Sequence, residues 1–263
     1  MVLLAALAWA YLVWMPMEGM ARGILARRPD AMDMGDMGDM GDMGGMAMPS
    51  RWELMDVSGW AASLPLFVLV WVVMMVAMMF PAVSPGVLIF DRWRRTKERS
   101  SAATVAFVAG YLIVWAIAGV FAFAAIVVLD TQLAGMSTAV RVGGVILIVA
   151  GAYQLTPLKA ACLAQCRSPL SLIMEHAQLL GRGIRGPLQV GIRHGAYCLG
   201  CCWALMAVLI ALGVMHVGWM AAVAALILAE KVLPWGRLTA ALVGVGLIAG
   251  GGLVVATGVG VMA

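Results

Sequence analysis

His194-Gly195-Ala196-Tyr197-Cys198-Leu199-Gly200-Cys201-Cys202-Trp203 opens an apolar run that continues to Met215. From Ala196 onward that run has about the 20 residues a membrane-spanning helix needs. On a helix that already includes His194, the 3.6-residue period gathers His194, Cys198, Cys201 and Cys202 within an arc of about 100°. One face of an apolar helix therefore carries most of the soft-donor chemistry in the chain.

The rest of the chain has the same character. Of its 263 residues 64% are hydrophobic and 11% charged, with a mean hydropathy of +1.01, far from the composition of a soluble domain. Seven apolar runs stand out: Val2 to Met15, Leu64 to Val83, Thr104 to Leu129, Val140 to Leu155, Ala196 to Met215, Val217 to Ala229 and Leu238 to Val261. The sequence thus predicts an all-α, polytopic transmembrane bundle of seven helices, or six if the first is cleaved or absent. That first run lacks a basic flank and no small-x-small cleavage site follows it, so we read it as an uncleaved helix. The organisation expected is a first membrane helix over 1–15, a loop over 16–61 and a helical membrane domain over 62–263.

Basic residues set the expected orientation. Arg92, Arg94, Arg95, Lys97 and Arg99 fill one connection, and the next, Asp130 to Ala139, has none. Lys159, Arg167, Arg182, Arg185 and Arg193 fill the following one, the turn at His216 has none, and Lys231 and Arg237 flank the last. This alternation places the N-terminus in the cytoplasm and the 16–61 loop outside a bacterial inner membrane. The partner implied is the lipid bilayer, and nothing in the charge pattern points to nucleic acid.

The external loop is repetitive. Met34, Met37, Met40 and Met43 recur every third residue, Met32, Met46 and Met48 extend the series, and Gly and Asp fill the intervals. Such a segment has no apolar periodicity from which to build a core and is expected to be disordered. Thioethers are soft donors suited to Cu(I) or Ag(I), and they survive where thiols would oxidise. Met34, Met37, Met40, Met43 and Met46 are therefore candidate capture ligands, against the alternative of a plain flexible linker. A second methionine group, Met74, Met75, Met78 and Met79, forms two adjacent i to i+4 stripes just before Pro81. Packing competes with metal contact as its role.

Cys162 and Cys166, four residues apart in Thr156-Pro157-Leu158-Lys159-Ala160-Ala161-Cys162-Leu163-Ala164-Gln165-Cys166-Arg167, face one way on a helix of about two turns. Lys159 and Arg167 beside them are expected to favour the thiolate. Five cysteines, an odd number assigned to the cytoplasmic half, argue against a disulfide framework. The candidate metal ligands are Cys198, Cys201, Cys202, His194, Cys162 and Cys166, supported by Lys159, Glu230 and Lys231. Gln154, Lys159, His194 and Glu230 are costly near a bilayer unless paired or functional. His176 and His216 read as solvated.

The Met-Met-x-x-Met-Met-x-Pro helix end, the Tyr153-to-Pro169 segment with its two cysteines, and the His194-to-Trp203 motif together resemble an uncharacterised bacterial family of predicted metal-binding integral membrane proteins. The resemblance runs from about Met74 to Lys231 and implies a metal role without specifying a reaction. Copper as Cu(I) is the metal the donors suit best, with other soft metals open, and a metal chaperone or a membrane complex would be its partner. Cys198 and Cys201 also form a Cys-x-x-Cys pair that, with Cys162 and Cys166, would suit a membrane thiol-disulfide oxidoreductase. A third reading makes the chain a noncatalytic assembly subunit with Gly-rich helix faces. No nucleotide-binding loop, nucleophile elbow or His-Glu-x-x-His helix is present, so an enzyme is the less favoured class.

Overall fold

The computed structural model describes residues 2–14, 60–96, 100–132, 136–168, 171, 174–180, 183–212 and 217–258. The Met-rich repeat and His216 lie outside the described residues. Among the described residues every regular element is helical: α1 (Val2–Trp14), α2 (Trp60–Thr96), α3 (Ala102–Gln132), α4 (Met136–Gln154), α5 (Pro157–Arg167), α6 (Ala177–Leu180), α7 (Arg185–Leu212), α8 (Val217–Val232) and α9 (Gly236–Thr257).

The described part of each of the seven predicted runs falls on a helix, but length separates them. Four stretches, Leu64–Arg95, Ala102–Leu129, Arg185–Ala211 and Gly236–Thr257, are long and apolar enough to cross a membrane. A fifth crossing results if α4 and α5, bent by 65° at their junction, form one broken span. At 1.5 Å per residue α8 reaches only about 24 Å and α1 about 20 Å, short of a hydrocarbon core about 30 Å thick. The expected seven spans are thus four or five by length and composition among the described residues.

The most extensive contacts pair α3 with α7 and α4 with α9. In the second pair the backbones touch: a Cβ on Gly151 would lie 2.6 Å from the Gly244 carbonyl, and one on Gly251 2.6 Å from that of Gly144. Small residues allow such approach between apolar helices. Buried side chains of α1, α2, α3, α5, α7 and α8 form the larger core, and α4, α7 and α9 form a second.

α2 is continuous through Pro81 and Pro85, each of which lacks an amide proton for the carbonyl four residues back. Both orphaned carbonyls find other donors. The Trp9 indole Nε1 of α1 donates to the Ala77 carbonyl at 3.0 Å, and the Ser84 hydroxyl donates to that of Pro81 at 3.0 Å. The short apolar helix α1 is therefore fastened to the defect that proline makes in its neighbour. Trp9→Phe is expected to lower the unfolding temperature in detergent, at a cost of about 1–3 kcal/mol for a bare buried carbonyl. Adding Pro81→Ala should recover most of it, because the new amide donates to Ala77; equal losses in the single and double variants would disprove the link.

Candidate functional site

The site is organised by the break between α4 and α5. Pro157 disfavours helical geometry at Thr156, which is extended (φ −76°, ψ 148°), and occupies the first position of the new helix, where its missing N–H costs nothing. Thr156 caps the restart: its hydroxyl donates to the Tyr153 carbonyl at 2.7 Å and accepts from the Lys159 amide at 3.3 Å. α5 consequently turns away from α4 and packs against α7 and α8.

That turn brings the two cysteine groups together. Cys166 Sγ on α5 lies 3.7 Å from Cys201 Sγ on α7. One turn earlier Cys162 rests on Gly200, where any Cβ would come within 2.8 Å of its sulfur, so the glycine inside the α7 motif is what admits α5. The Tyr153 hydroxyl donates to the Gly200 carbonyl at 2.6 Å, and its ring meets Trp203 edge-on at 4.8 Å.

α7 begins at Arg185, so His194 is inside the helix and shares a buried face with Cys198, Cys201 and Cys202. The Cys201 and Cys202 thiols both donate to the Cys198 carbonyl, at 3.1 and 2.9 Å. Cys198 Sγ has two other partners, the Tyr111 hydroxyl and the Lys231 ammonium, each at 3.1 Å. His194 sits 5.9 Å from the rings of both Phe107 and Tyr111, and its Nδ1 is buried without a hydrogen-bond partner.

Beside the thiols lies a second polar group. Lys159 and Glu230, 1% and 2% exposed, pair at 2.7 Å. Gln154 donates to the other carboxylate oxygen at 3.3 Å and accepts from Lys159, so one amide satisfies both charges. Arg167 Nη1 donates to the Glu230 carbonyl at 3.2 Å. The consecutive residues Glu230 and Lys231 thus divide their work, one holding α5 and the other meeting the α7 thiol.

Two expectations are corrected here. Lys159, placed beside Cys162 by sequence, is spent on Glu230, and the cation on a thiol is Lys231, because a fully buried ammonium goes to the strongest acceptor it can reach. His176, read as solvated, is 6% exposed. Tyr111 was not foreseen; a lone hydroxyl-tipped ring beside Gly110 in an apolar helix was the available signal. Met74, Met75, Met78 and Met79 are all buried, in the same core as Cys198, Cys201 and Cys202. Among the described residues no group of three or more His, Cys, Asp or Glu side chains is gathered tightly enough to hold one metal ion. What converges across elements is the pair Cys166 and Cys201, with Cys198 and its ammonium alongside.

Fold and site together define an all-helical protein with several long apolar helices and a buried thiol centre at a helix break. The PpoB2 family model, described as copper chaperone, matches residues 68–254, from the first third of α2 to the end of α9, and the chain belongs to this family. No curated protein and no solved structure matches the chain.

Proposed function

We propose that the chain is an integral membrane copper chaperone that holds Cu(I) on paired thiolates, with Cys166 and Cys201 at the centre of the site. The observation that carries this reading is the 3.7 Å approach of two thiols from different helices, a separation from which small side-chain rotations can place both sulfurs on one ion. Thiolates are the donors that favour Cu(I), and binding requires that they give up their protons. Cys198, against the Lys231 ammonium, shares the buried face of α7 with Cys201, Cys202 and His194 beside that pair. The Met-rich segment suits first capture on the outer side, where the basic-loop alternation would put it. The buried stripe from Met74 to Met79, in the same core as Cys198, Cys201 and Cys202, would offer thioethers for relay toward the thiols. The cargo would then pass to an acceptor protein or membrane complex.

Titration of the purified full-length protein with Cu(I) against a competing chelator tests the reading. C166S/C201S is expected to weaken the tight site by more than about 100-fold, beyond the usual effect of an outer-shell change. Deletion of residues 32–48 should leave that site intact and remove weaker sites only. Unchanged stoichiometry and affinity in both variants would sink the proposal.

The same contact also supports a thiol-disulfide exchanger, now through Cys166 and Cys201 rather than Cys198 and Cys201. Acid-quenched thiol trapping of the protein in cells separates the two: a chaperone keeps both cysteines reduced through its cycle, whereas an exchanger accumulates the disulfide.

A further inference from the structure

Lys231 is a buried ammonium, 8% exposed, at a place where its sequence neighbour cannot neutralise it. Glu230 is already taken by Lys159 at 2.7 Å and by Gln154. The ionisable groups around Lys231 include four thiols, Cys198, Cys201, Cys166 and Cys202, with Cys198 Sγ at 3.1 Å, together with Tyr111, His194 and the already paired Glu230. Arg167, partly exposed at the rim, is directed to a backbone carbonyl. Lys159 and Glu230 cancel, so the charge left over in the centre is one positive.

We propose that Lys231 is the charge-selecting residue of the thiol centre, favouring a monovalent ion on two thiolates over a divalent ion on the same pair. A singly charged ion on two thiolates carries a net charge of minus one, which Lys231 brings to zero. A doubly charged ion on two thiolates is already neutral and leaves the ammonium bare in a low-dielectric interior, an expensive arrangement. Softness ranks copper above zinc on any pair of thiolates; Lys231 adds to that a term that depends only on charge. This inference rests on the copper reading above and names what that site discriminates against.

The full chain in detergent is titrated separately with Cu(I) and with Zn(II), as wild type, Lys231→Met and Lys231→Arg. Lys231→Met is expected to lower Cu(I) affinity by about tenfold or more while Zn(II) affinity holds or rises, as loss of a buried counter-charge implies. Lys231→Arg should keep the wild-type ratio. An unchanged Cu(I)/Zn(II) ratio in Lys231→Met overturns the inference, as does an arginine variant that shifts like the methionine one. Alkylation of wild type needs no variant to fold: two thiols protected per bound Cu(I) are expected, and three overturn the charge balance. Wild-type protein whose thiols take up no Cu(I) overturns the copper reading itself, an outcome distinct from a normal wild type with an indifferent Lys231→Met.

Discussion

Glu230→Gln is expected to destabilise the protein by about 3–5 kcal/mol, the usual cost of leaving one partner of a buried ion pair without the other. Lys159 is 1% exposed, and the amide oxygens of Gln154 and of the glutamine introduced in place of Glu230 carry no net charge to offset its own. Lys159→Met should cost a similar amount for the mirror-image reason. The double variant Lys159→Met/Glu230→Leu should lie much closer to wild type, since two charges and their desolvation disappear together and apolar side chains fill the space. Thermal unfolding of wild type, Lys159→Met, Glu230→Leu and their double variant in one detergent closes the cycle, and the coupling between the sites is the quantity of interest. Single variants that melt with wild type would show the pair to be ornamental. The same pair ties α5 to α8, so Glu230→Gln should also loosen Cys166 from Cys201 and weaken Cu(I) uptake, whereas an apolar pair that keeps α5 in place should not.

The face bearing His194, Cys198, Cys201 and Cys202 was legible because it needs only the helical period, which local sequence sets. The i to i+4 spacing of Cys162 and Cys166 was legible for the same reason. Their meeting with α7 was not, since it depends on a 65° turn at Thr156-Pro157; proline announces a break without giving its angle. Lys159 illustrates the matching error for charge. Proximity in sequence put it with Cys162, but the partner of a buried cation is chosen by tertiary reach, and Glu230 lies 71 residues away. The number of crossings is a matter of length: α1 and α8 are apolar, but their described parts are 13 and 16 residues long, and four or five candidate spans are found among the described residues. The role of Trp9 in repairing the Pro81 defect was invisible because it is a contact between segments 68 residues apart.

Gly191→Ala is expected to produce the second large effect, through α3 rather than through any charge. A Cβ at Gly191 would lie 2.0 Å from the Phe107 carbonyl oxygen, and one at Gly110 would lie 2.3 Å from that of Leu188. The obstacle in each case is backbone, which cannot rotate aside, so the helices must separate along the whole contact. Overpacking of this kind costs about 1–3 kcal/mol or more for a single site, and Gly110→Ala/Gly191→Ala should exceed either alone. Tyr111 follows Gly110, and His194 lies three residues beyond Gly191, so the separation acts where the Tyr111 hydroxyl reaches Cys198 at 3.1 Å. Losing that contact should expose a thiol that is 0% exposed in the native fold, and alkylation of Cys198 should accelerate in proportion to the loss of stability. Gly246→Ala is the control: nothing lies within 4 Å of its Cβ, and the gain in helix propensity over glycine should leave stability equal or slightly higher. If Gly191→Ala melts like Gly246→Ala and its Cys198 remains unreactive, then α3 and α7 do not pack as closely as the glycines require, and the placement of Tyr111 on the thiol falls with that contact.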